Sequence, residues 1–239
     1  MAKKRQNRNT APPQTDEVIR CDNLKKSFGE PPLTILNHIN LTIHAGEFVS
    51  LTGRSGSGKS TLLYILSSLD EPTEGTVYLQ GRSVQLMTSK EQHQLRNQQI
   101  GFVFQFHYLL PELTALENIL LPARKLHLHE QKKKEAEELL SDFGLSHCRN
   151  KRPSQMSGGE AQRCAIARAL IMQPSILFTD EPTGNLDTAN GDLVIETFIR
   201  LNQEQKTTIL MVTHDIDYAK TAGRQINLVD GQVESDHRR

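Results

Sequence analysis

The feature that most constrains this chain is a glycine-rich segment, Gly53–Ser60, with the sequence GRSGSGKS. An apolar run, Phe48–Leu51, precedes it, and a helix-like run, Thr61–Leu66, follows it. This is the G-x-x-x-x-G-K-[ST] pattern in the strand, loop and helix context that a phosphate-binding loop requires. Glycines let backbone N–H groups approach a phosphate, and the helix N-terminus adds its own unpaired N–H groups. The segment therefore predicts that the chain binds a nucleoside triphosphate.

Individual positions in this segment have predicted roles toward the phosphates. Lys59 is placed to reach the β- and γ-phosphates, and the Ser60 hydroxyl is placed to ligate Mg²⁺. The residues expected to surround the nucleotide here are Gly53, Arg54, Ser55, Gly56, Ser57, Gly58, Lys59, Ser60 and Thr61. A nucleoside triphosphate and Mg²⁺ are thus the predicted ligands.

Composition narrows the class of protein further. The 239 residues include 28 Lys plus Arg and 28 Asp plus Glu, and this zero net charge argues against a general nucleic-acid binder. Cys21, Cys148 and Cys164 have no CxxC spacing, so they predict reduced thiols in a cytosolic protein, neither a disulfide frame nor a zinc site. No apolar run approaches about 18 residues, so no membrane-spanning helix is expected.

Residues 1–16 differ in composition from the rest of the chain. They are polar and basic, and no apolar stretch follows their basic residues, so a secretory signal is not predicted. We expect a disordered, solvated tail, with weak contact to anionic lipid head groups as the alternative. Residues 17–239 are then expected to form the folded domain.

The order of the predicted elements indicates an α/β protein. Residues 17–52 alternate short apolar runs with turns, which is typical of an antiparallel sheet joined to a first core strand. From residue 176 onward strands and helices alternate, which predicts a parallel sheet with helices on its faces. Residues 114–144 and 157–172 have helical patterns, but the sequence leaves open where the chain breaks near Pro122.

Polar residues follow three predicted buried strands. The strands Phe48–Thr52, Ser175–Thr179 and Thr208–Thr213 are followed by the glycine-rich segment, by Asp180-Glu181 and by His214, respectively. Ligands of open α/β sheets bind beyond the carboxyl ends of the strands. We therefore expect Lys59, Asp180, Glu181 and His214 to meet at one edge of the sheet.

The chemistry of these side chains predicts distinct roles. Asp180, directly at a strand end, is a candidate Mg²⁺ ligand. Glu181 could act as general base or position the attacking water, although an Asp-Glu pair alone is also typical of an ordinary turn. His214 could hydrogen-bond the γ-phosphate, the alternative being an edge histidine satisfied by its neighbours. Gln105, after the predicted strand Ile100–Phe104, could offer its amide oxygen to Mg²⁺ and move with its loop, or it is simply a polar loop residue.

A second glycine-rich helix start lies at Ser157–Glu160. Ser157 and Glu160 form a capping-box pattern, whereas Gly158-Gly159 costs helix stability unless something must approach closely. An exposed helix N-terminus is an anion site, and one domain that binds one nucleotide has no evident need for a second. Two copies packed head to tail would use it, each offering this turn to the other's γ-phosphate in a two-fold dimer.

Together these residues resemble the ATP-binding-cassette (ABC) family of transport ATPases, from residue 18 to about 235. The corresponding motifs are Gly53–Ser60 (Walker A), Gln105 (Q-loop), Ser157–Gln162 (signature), Ile176–Glu181 (Walker B), Asn185-Leu186-Asp187 (D-loop) and His214 (switch histidine). Phe28 stands where the family places an aromatic ring against adenine. The resemblance implies a P-loop NTPase fold with a RecA-like parallel-sheet core, an antiparallel β subdomain and a helical signature subdomain at about 106–170. Met156, Ala161 and Phe28 depart from the usual family residues without putting catalysis in doubt.

A narrower resemblance concerns Leu95–Pro111 with Thr114–Asn118, which is similar to the lipoprotein-releasing ATPases, whereas Asp180–Asp187 is shared with macrolide-exporter and cell-division relatives. It implies an ATP-hydrolysing homodimer, peripheral on the cytoplasmic face of the inner membrane. Two membrane permease subunits would be its partners, and lipoproteins released toward the outer membrane would be the cargo. An ATPase of an exporter-type or cell-division permease is the alternative. A soluble cassette protein is a more remote one, since the chain has one cassette and no heptad run.

Overall fold

Two β-sheets organise residues 16–239, the part of the chain that the computed structural model describes. The tail predicted at residues 1–16 lies outside the described residues except for Asp16, whose carbonyl oxygen accepts a hydrogen bond from Ala45 N at 2.7 Å. This bond ties the first described residue to the turn before the core sheet.

The first sheet is antiparallel and has the strand order β2-β1-β4-β5. Its strands are β1 (Glu17–Phe28), β2 (Leu33–His44), β4 (Glu74–Leu79) and β5 (Arg82–Ser83). In β2 the buried residues Ile39, Leu41 and Ile43 alternate with residues that face outward, which is the pattern of a sheet with one buried face. The predicted short strands at the start of the chain are thus two strands of 12 residues each.

The second sheet is largely parallel and has the strand order β10-β9-β3-β8-β7-β6. Its strands are β3 (Phe48–Thr52), β6 (Ile100–Val103), β7 (Ile176–Asp180), β8 (Thr208–Val212), β9 (Arg224–Val229) and β10 (Gln232–Arg238). Only the edge pair β9 and β10 is antiparallel in this sheet. Every residue of β7 and of β8 is buried, as expected for central strands covered on both faces.

The helices lie on both faces of this core sheet. They are α1 (Lys59–Leu66), α2 (Ser89–Gln99), α3 (Ala115–Arg124), α4 (Lys133–Asp142), α5 (Gly158–Leu170), α6 (Thr188–Gln205) and α7 (Ile216–Ala219). Strand β7 shows the layering, since Phe178 packs with α1, α2 and the antiparallel sheet, whereas Leu177 packs with α3–α6. The predicted parallel sheet with helices on its faces is confirmed.

The helical stretch predicted at 114–144 is two helices, and the break is not at the proline. Pro122 lies inside α3, and the helix continues to Arg124. His127 then adopts φ 58°, a left-handed conformation that an α-helix of L-residues does not continue through. The chain therefore leaves the helical path at residues 125–132.

Candidate nucleotide-binding site

The glycine-rich loop joins β3 to the start of α1, and its packing requires two of its glycines. Gly53 has φ 144°, and a Cβ there would lie 2.2 Å from Leu228 O. Gly58 has φ 97°, and a Cβ there would lie 2.8 Å from a methyl group of Leu36. Both positions exclude a side chain by space and by backbone conformation, so the loop keeps its backbone N–H groups accessible to an anion.

Lys59 lies against this loop rather than in open solvent. Its Nζ donates to the carbonyl oxygens of Gly53 and Arg54, at 2.9 Å in each case. An ammonium group has three protons to donate, so one remains for a phosphate oxygen. The Oγ of Ser57 is buried in the same loop without a hydrogen-bond partner. The loop therefore holds both a positive charge and an unsatisfied polar atom where a phosphate is predicted to bind.

Ser60 and Asp180, two of the predicted Mg²⁺ ligands, are hydrogen-bonded to each other. Ser60 Oγ donates to Asp180 Oδ1 at 3.0 Å, and Tyr64 OH donates to Asp180 Oδ2 at 2.9 Å. Burial, together with the bond to Asp180, raises the pKa of Tyr64, so its hydroxyl remains a donor. Sequence reasoning missed Tyr64, although it lies one helical turn after Ser60 on the same face of α1.

Glu181 and His214 form a second pair at the same edge of the sheet. Glu181 Oε2 lies 2.8 Å from His214 Nδ1, and it also accepts a longer bond of 3.4 Å from His214 N. Glu181 adopts φ 48°, a conformation that is costly for a residue with a side chain, and its N–H donates to Val212 O at 3.0 Å. The backbone at the end of β7 thus turns sharply, which places the Glu181 carboxylate against His214, two residues beyond the end of β8.

One cavity brings most of the predicted site residues together. It has a volume of about 510 Å³ and is lined by Phe28, Ile35, Ser55, Gly56, Gly58, Lys59, Ser60, Thr61, Gln105, Glu181 and His214. Phe28 is half exposed at its rim, where a ring can stack on a flat base. Ile35 was not predicted. The phosphate loop, the aromatic ring, the amide and the carboxylate therefore face one space of the size of a ligand site.

A larger cavity of about 770 Å³ lies on the other side of the phosphate loop. It shares Ser55, Gly56 and His214 with the first cavity. Its other lining residues come from the rest of the loop, from the segment after β8, and from β9 and β10, which contribute Asn227 and Glu234. Lys59, Ser60 and Glu181 do not line it. The smaller cavity therefore holds the reactive groups and is the candidate catalytic site.

Gln105 lies two residues beyond the end of β6, because that strand ends at Val103 and not at the predicted residue. The segment that carries Gln105 is fixed by two side-chain amides. Gln162 Nε2 donates to Phe104 O at 3.1 Å and to Pro182 O at 3.2 Å, and Asn185 Nδ2 donates to Gln105 O at 3.1 Å. Sequence reasoning placed Gln162 and Asn185 in motifs but gave neither residue this role. The Q-loop and the segment after Glu181 are thus held to each other through Gln162.

The predicted capping box at the start of α5 is confirmed. Glu160 N donates to Ser157 Oγ at 3.2 Å, and Ser157 N donates to Glu160 Oε2 at 2.6 Å. The N–H of Ser157 and the nearby imidazole of His147 lower the pKa of Glu160 to about 2. A Cβ added at Gly158 would meet no atom within 4 Å, so packing within the described chain does not account for that glycine.

The structure does not bring every predicted site residue into the catalytic cavity. Gly53, Arg54 and Ser57 line the larger cavity instead, whereas Asp180 lines neither cavity and is reached through its hydrogen bond from Ser60. Ser157, Gly158, Gly159, Glu160 and Asp187 also line neither cavity. Asp187 instead caps α6, where its Oδ1 accepts a hydrogen bond from Asn190 N at 2.9 Å. The residues at the start of α5 and Asp187 therefore contribute to nucleotide binding only if a second copy of the chain presents its own nucleotide to them.

Among residues 16–239 there is no helix whose length and apolarity together would let it cross a membrane.

A glycine-rich loop joins β3 to α1, and Asp180 and Glu181 stand at the end of β7, which is parallel to β3 and separated from it by β8. This arrangement defines the fold as an α/β P-loop NTPase. The family model described as ABC transporter matches residues 36–184, and the chain belongs to that family. Membership confirms the predicted class of enzyme, an ATPase of the ABC family.

Two curated relatives show similarity along nearly the whole chain. The first is the lipoprotein-releasing system ATP-binding protein LolD of Leptospira interrogans serogroup Icterohaemorrhagiae serovar Lai (strain 56601), which is 51% identical over 217 residues and matched over 91% of both chains. The second is the protein of the same name from Aquifex aeolicus (strain VF5), which is 50% identical over 218 residues and matched over 91% of this chain and 96% of its own.

Solved structures agree with the fold. The dimeric post-hydrolysis state of the ATP-binding cassette MJ0796 bound to ADP and Pi has a TM-score of 0.86 at 41% identity, covering 92% of this chain and 98% of that chain. A dimeric structure of MJ0796, described as a bacterial ABC transporter cassette, also has a TM-score of 0.86, at 42% identity. The predicted fold class is confirmed.

Proposed function

We propose that this chain is the ATP-hydrolysing subunit of an ABC transporter that releases lipoproteins from the inner membrane toward the outer membrane. The cavity that gathers Lys59, Ser60, Glu181 and His214 carries the ATPase part of this proposal. The identity of 50 to 51% to two LolD proteins over 91% of the chain supports lipoproteins as the cargo.

ATP binding is assigned to the phosphate loop and to Phe28. The ring of Phe28 stacks on adenine at the rim of the cavity, while Lys59 and the loop N–H groups hold the phosphates. The hydroxyl of Ser60, the carboxylate of Asp180 and the amide of Gln105 offer only oxygen atoms, which is the donor set that suits Mg²⁺. When bound there, the ion would neutralise charge on the β- and γ-phosphates.

Glu181 is proposed to orient the attacking water and to accept its proton. Glu181 lines the same cavity as Lys59, as a general base must in order to reach water in front of the γ-phosphate. His214 Nδ1 donates to that carboxylate, and an imidazole that also carries a proton on Nε2 would donate through it to a γ-phosphate oxygen. Loss of the γ-phosphate would remove this contact, so His214 is suited to distinguish ATP from ADP.

Closure is proposed to involve a head-to-tail homodimer. Ser157, Gly158 and Gly159 start α5 outside the cavity, and the space around Gly158 is open. A γ-phosphate presented by a second copy fits this helix N-terminus, and the two dimeric MJ0796 cassettes support the stoichiometry. Because ATP bridges the two copies and ADP does not, ATP favours the closed state.

The membrane partner is proposed to bind the segment that follows Gln105. Phe106 and Tyr108 are 61% and 62% exposed, and Leu110 is also exposed. The three side chains lie within five positions of one another in the chain. Arg168 on α5 donates to the carbonyl oxygens of His107 and Tyr108, which fixes the backbone beneath these side chains. An exposed apolar group of this kind marks an interaction surface. We assign it to two permease subunits, with this chain peripheral on the cytoplasmic face of the inner membrane.

An exporter-type or cell-division permease is the second candidate partner. Such a system would use the same phosphate loop and the same Glu181 and His214, so the cavity does not separate the two functions. The similarity to LolD proteins favours lipoprotein release.

The test is to recover the chain from detergent-solubilised membranes and to identify what accompanies it. Two different permease subunits with bound lipoprotein would support the proposal. A single type of permease with a large periplasmic domain would favour the exporter relatives. Recovery of the chain without any membrane protein would contradict both functions and leave only the ATPase.

Paired variants sharpen this experiment. We expect the double change Phe106→Ser and Tyr108→Ser to remove the permease from the recovered complex while ATP binding persists. Leu86→Ser is the matched control, because Leu86 is an apolar residue that is even more exposed and lies next to the antiparallel sheet. If the two variants retain the permease equally, the proposed docking segment is wrong.

A further inference from the structure

Three side chains form a cluster beside the start of α5. The proposed ATPase mechanism gives this cluster no role. His147 Nε2 is 2.6 Å from Glu160 Oε1, and Cys148 Sγ is 3.3 Å from the same oxygen. The three candidate ligand atoms all lie within 4.8 Å of one another. We propose that His147, Cys148 and Glu160 form a Zn²⁺ site.

The donor set and its geometry fit this ion. Imidazole nitrogen, thiolate sulfur and carboxylate oxygen are the three protein ligand types that Zn²⁺ takes, and a water completes a tetrahedral site. Ligand atoms on tetrahedral Zn²⁺ stand about 3.3 to 3.6 Å apart, given metal–ligand distances of about 2.0 to 2.3 Å. The sulfur–oxygen distance of 3.3 Å lies at the lower end of this range, and the nitrogen–oxygen distance of 2.6 Å must open by about 0.7 Å to reach it. The nitrogen and the sulfur lie within 4.8 Å of each other, so modest side-chain rotations bring all three atoms to one ion.

The ion can reach this site from solvent, and the ligands can neutralise its charge. The side chain of His147 is 57% exposed, so an ion can approach from solvent, whereas Cys148 is buried behind it. Thiolate and carboxylate together neutralise the two positive charges, and the thiol proton passes to solvent. The cysteine spacing predicted no zinc site, and this proposal departs from that expectation. Glu160 lies 12 residues from Cys148 and is brought next to it only by packing.

The site is coupled to the turn that starts α5. Glu160 Oε1 faces His147 and Cys148, while Oε2 of the same carboxylate accepts the N–H of Ser157 at 2.6 Å. An ion on Oε1 leaves the capping bond on Oε2 in place. Bound Zn²⁺ therefore fixes the carboxylate that orders Ser157-Gly158-Gly159.

The experiment uses the full chain without an affinity tag, its thiols kept reduced, titrated with Co²⁺ as a spectroscopic substitute for Zn²⁺. We expect a near-ultraviolet sulfur-to-cobalt charge-transfer band that saturates at one ion per chain and disappears when Zn²⁺ is added. An ion bound only to oxygen ligands at the nucleotide site gives no such band, so the two sites are distinguished.

Variants decide which sulfur is involved. Cys148→Ser should abolish the band, and His147→Gln should raise the Co²⁺ dissociation constant at least about tenfold, since changes even to outer-shell metal partners cost that much. Cys164→Ala is the matched control and should keep the band, because Cys164 is a buried thiol on α5, the helix that carries Glu160, and its Sγ faces Ala115 O at 3.7 Å. If Cys148→Ser does not fold, the exposed His147→Gln change still tests the site.

Two results would overturn the proposal. One is the absence of a charge-transfer band in the wild-type chain. The other is a band that gives the same Co²⁺ dissociation constant in wild type and in His147→Gln. Either would leave His147 as the partner of Glu160 in an ordinary ion pair.

Discussion

Ser60 and Asp180 lie 120 positions apart in the sequence, yet Ser60 Oγ donates a hydrogen bond of 3.0 Å to Asp180 Oδ1. The other carboxylate oxygen accepts a hydrogen bond from Tyr64 OH at 2.9 Å. Both donors lie on one face of α1, so a single helix fixes both oxygens of the proposed Mg²⁺ ligand. The orientation of that carboxylate is therefore decided before a ligand arrives.

Tyr64→Phe is expected to weaken the use of Mg²⁺ without unfolding the chain. The change removes only the hydroxyl that holds Asp180 Oδ2, and loss of an outer-shell partner costs about 10 to 100-fold in metal affinity or activity. The Mg²⁺ concentration that gives half-maximal ATP hydrolysis should rise by about tenfold.

Tyr78→Phe is the matched control for this change. Tyr78 lies on β4 of the antiparallel sheet, where its ring packs under the Arg20 guanidinium and has no contact with Asp180. Identical Mg²⁺ dependence in wild type, Tyr64→Phe and Tyr78→Phe would mean that Tyr64 does not orient the ligand.

Glu181→Gln should retain ATP binding and lose turnover. Glutamine keeps the size and a hydrogen-bonding oxygen but accepts no proton, and general-base catalysis contributes about 10² to 10⁴-fold. The ATPase rate should fall by about that factor, and size-exclusion chromatography with ATP should show a trapped dimer. Glu196→Gln, an exposed change on α6, should behave as wild type. Equal hydrolysis rates in wild type and Glu181→Gln would show that another group is the base.

Gln162→Met tests the link between the Q-loop and the segment after Glu181. Gln162 is 3% exposed, and methionine of similar volume would leave Phe104 O and Pro182 O without their buried donor. Unsatisfied buried polar groups cost about 1 to 3 kcal/mol each, so the free energy of unfolding should fall by about 2 kcal/mol.

Urea unfolding and ATPase assays on the same Gln162→Met sample give the two readouts. ATP hydrolysis at saturating ATP should fall together with stability, since the amide also positions Gln105 against the cavity. Gln203→Met, at an exposed position of α6, should change neither quantity. A variant as stable as wild type would mean that the two carbonyl groups find other donors.

Asp236→Asn should reduce stability at neutral pH but not in acid. Arg224 donates to both oxygens of Asp236, at 2.8 and 2.7 Å, and these bonds lower the pKa of Asp236 in the folded state. A lowered folded-state pKa stabilises the fold above the unfolded-state pKa of about 3.9, and this contribution is lost as the pH falls through the folded-state pKa. Because the Asp236 side chain is 36% exposed, solvent screening limits the effect at pH 7 to about 1 kcal/mol.

Urea unfolding of wild type and Asp236→Asn across this pH range measures the difference. It should be largest at neutral pH and should shrink as the pH falls below about 4. Asp142→Asn, an exposed change at the end of α4, should show no comparable pH dependence. A difference that stays constant down to acidic pH would exclude the ion pair with Arg224 as its cause.

The glycine-rich loop and the strand ends could be predicted because their signals are local. A strand, a loop with required glycines and a helix follow one another within 48–66, and the apolar runs before Asp180 and His214 are continuous. The parallel sheet then follows from the alternation of strands and helices. The break after α3 could not be predicted in this way, because Pro122 is tolerated inside that helix and the left-handed residue is His127.

What the sequence by itself determined is the chemistry: a phosphate loop, an Asp-Glu pair, a histidine and a capping box, each read from neighbouring residues. What only the tertiary structure decided is which distant groups hold these residues in place. Tyr64 reaches Asp180, and Gln162 bridges Phe104 and Pro182. The physical reason is range, since caps and turns depend on residues a few positions apart, whereas a buried hydroxyl or amide finds its partner only after the sheet and helices have packed.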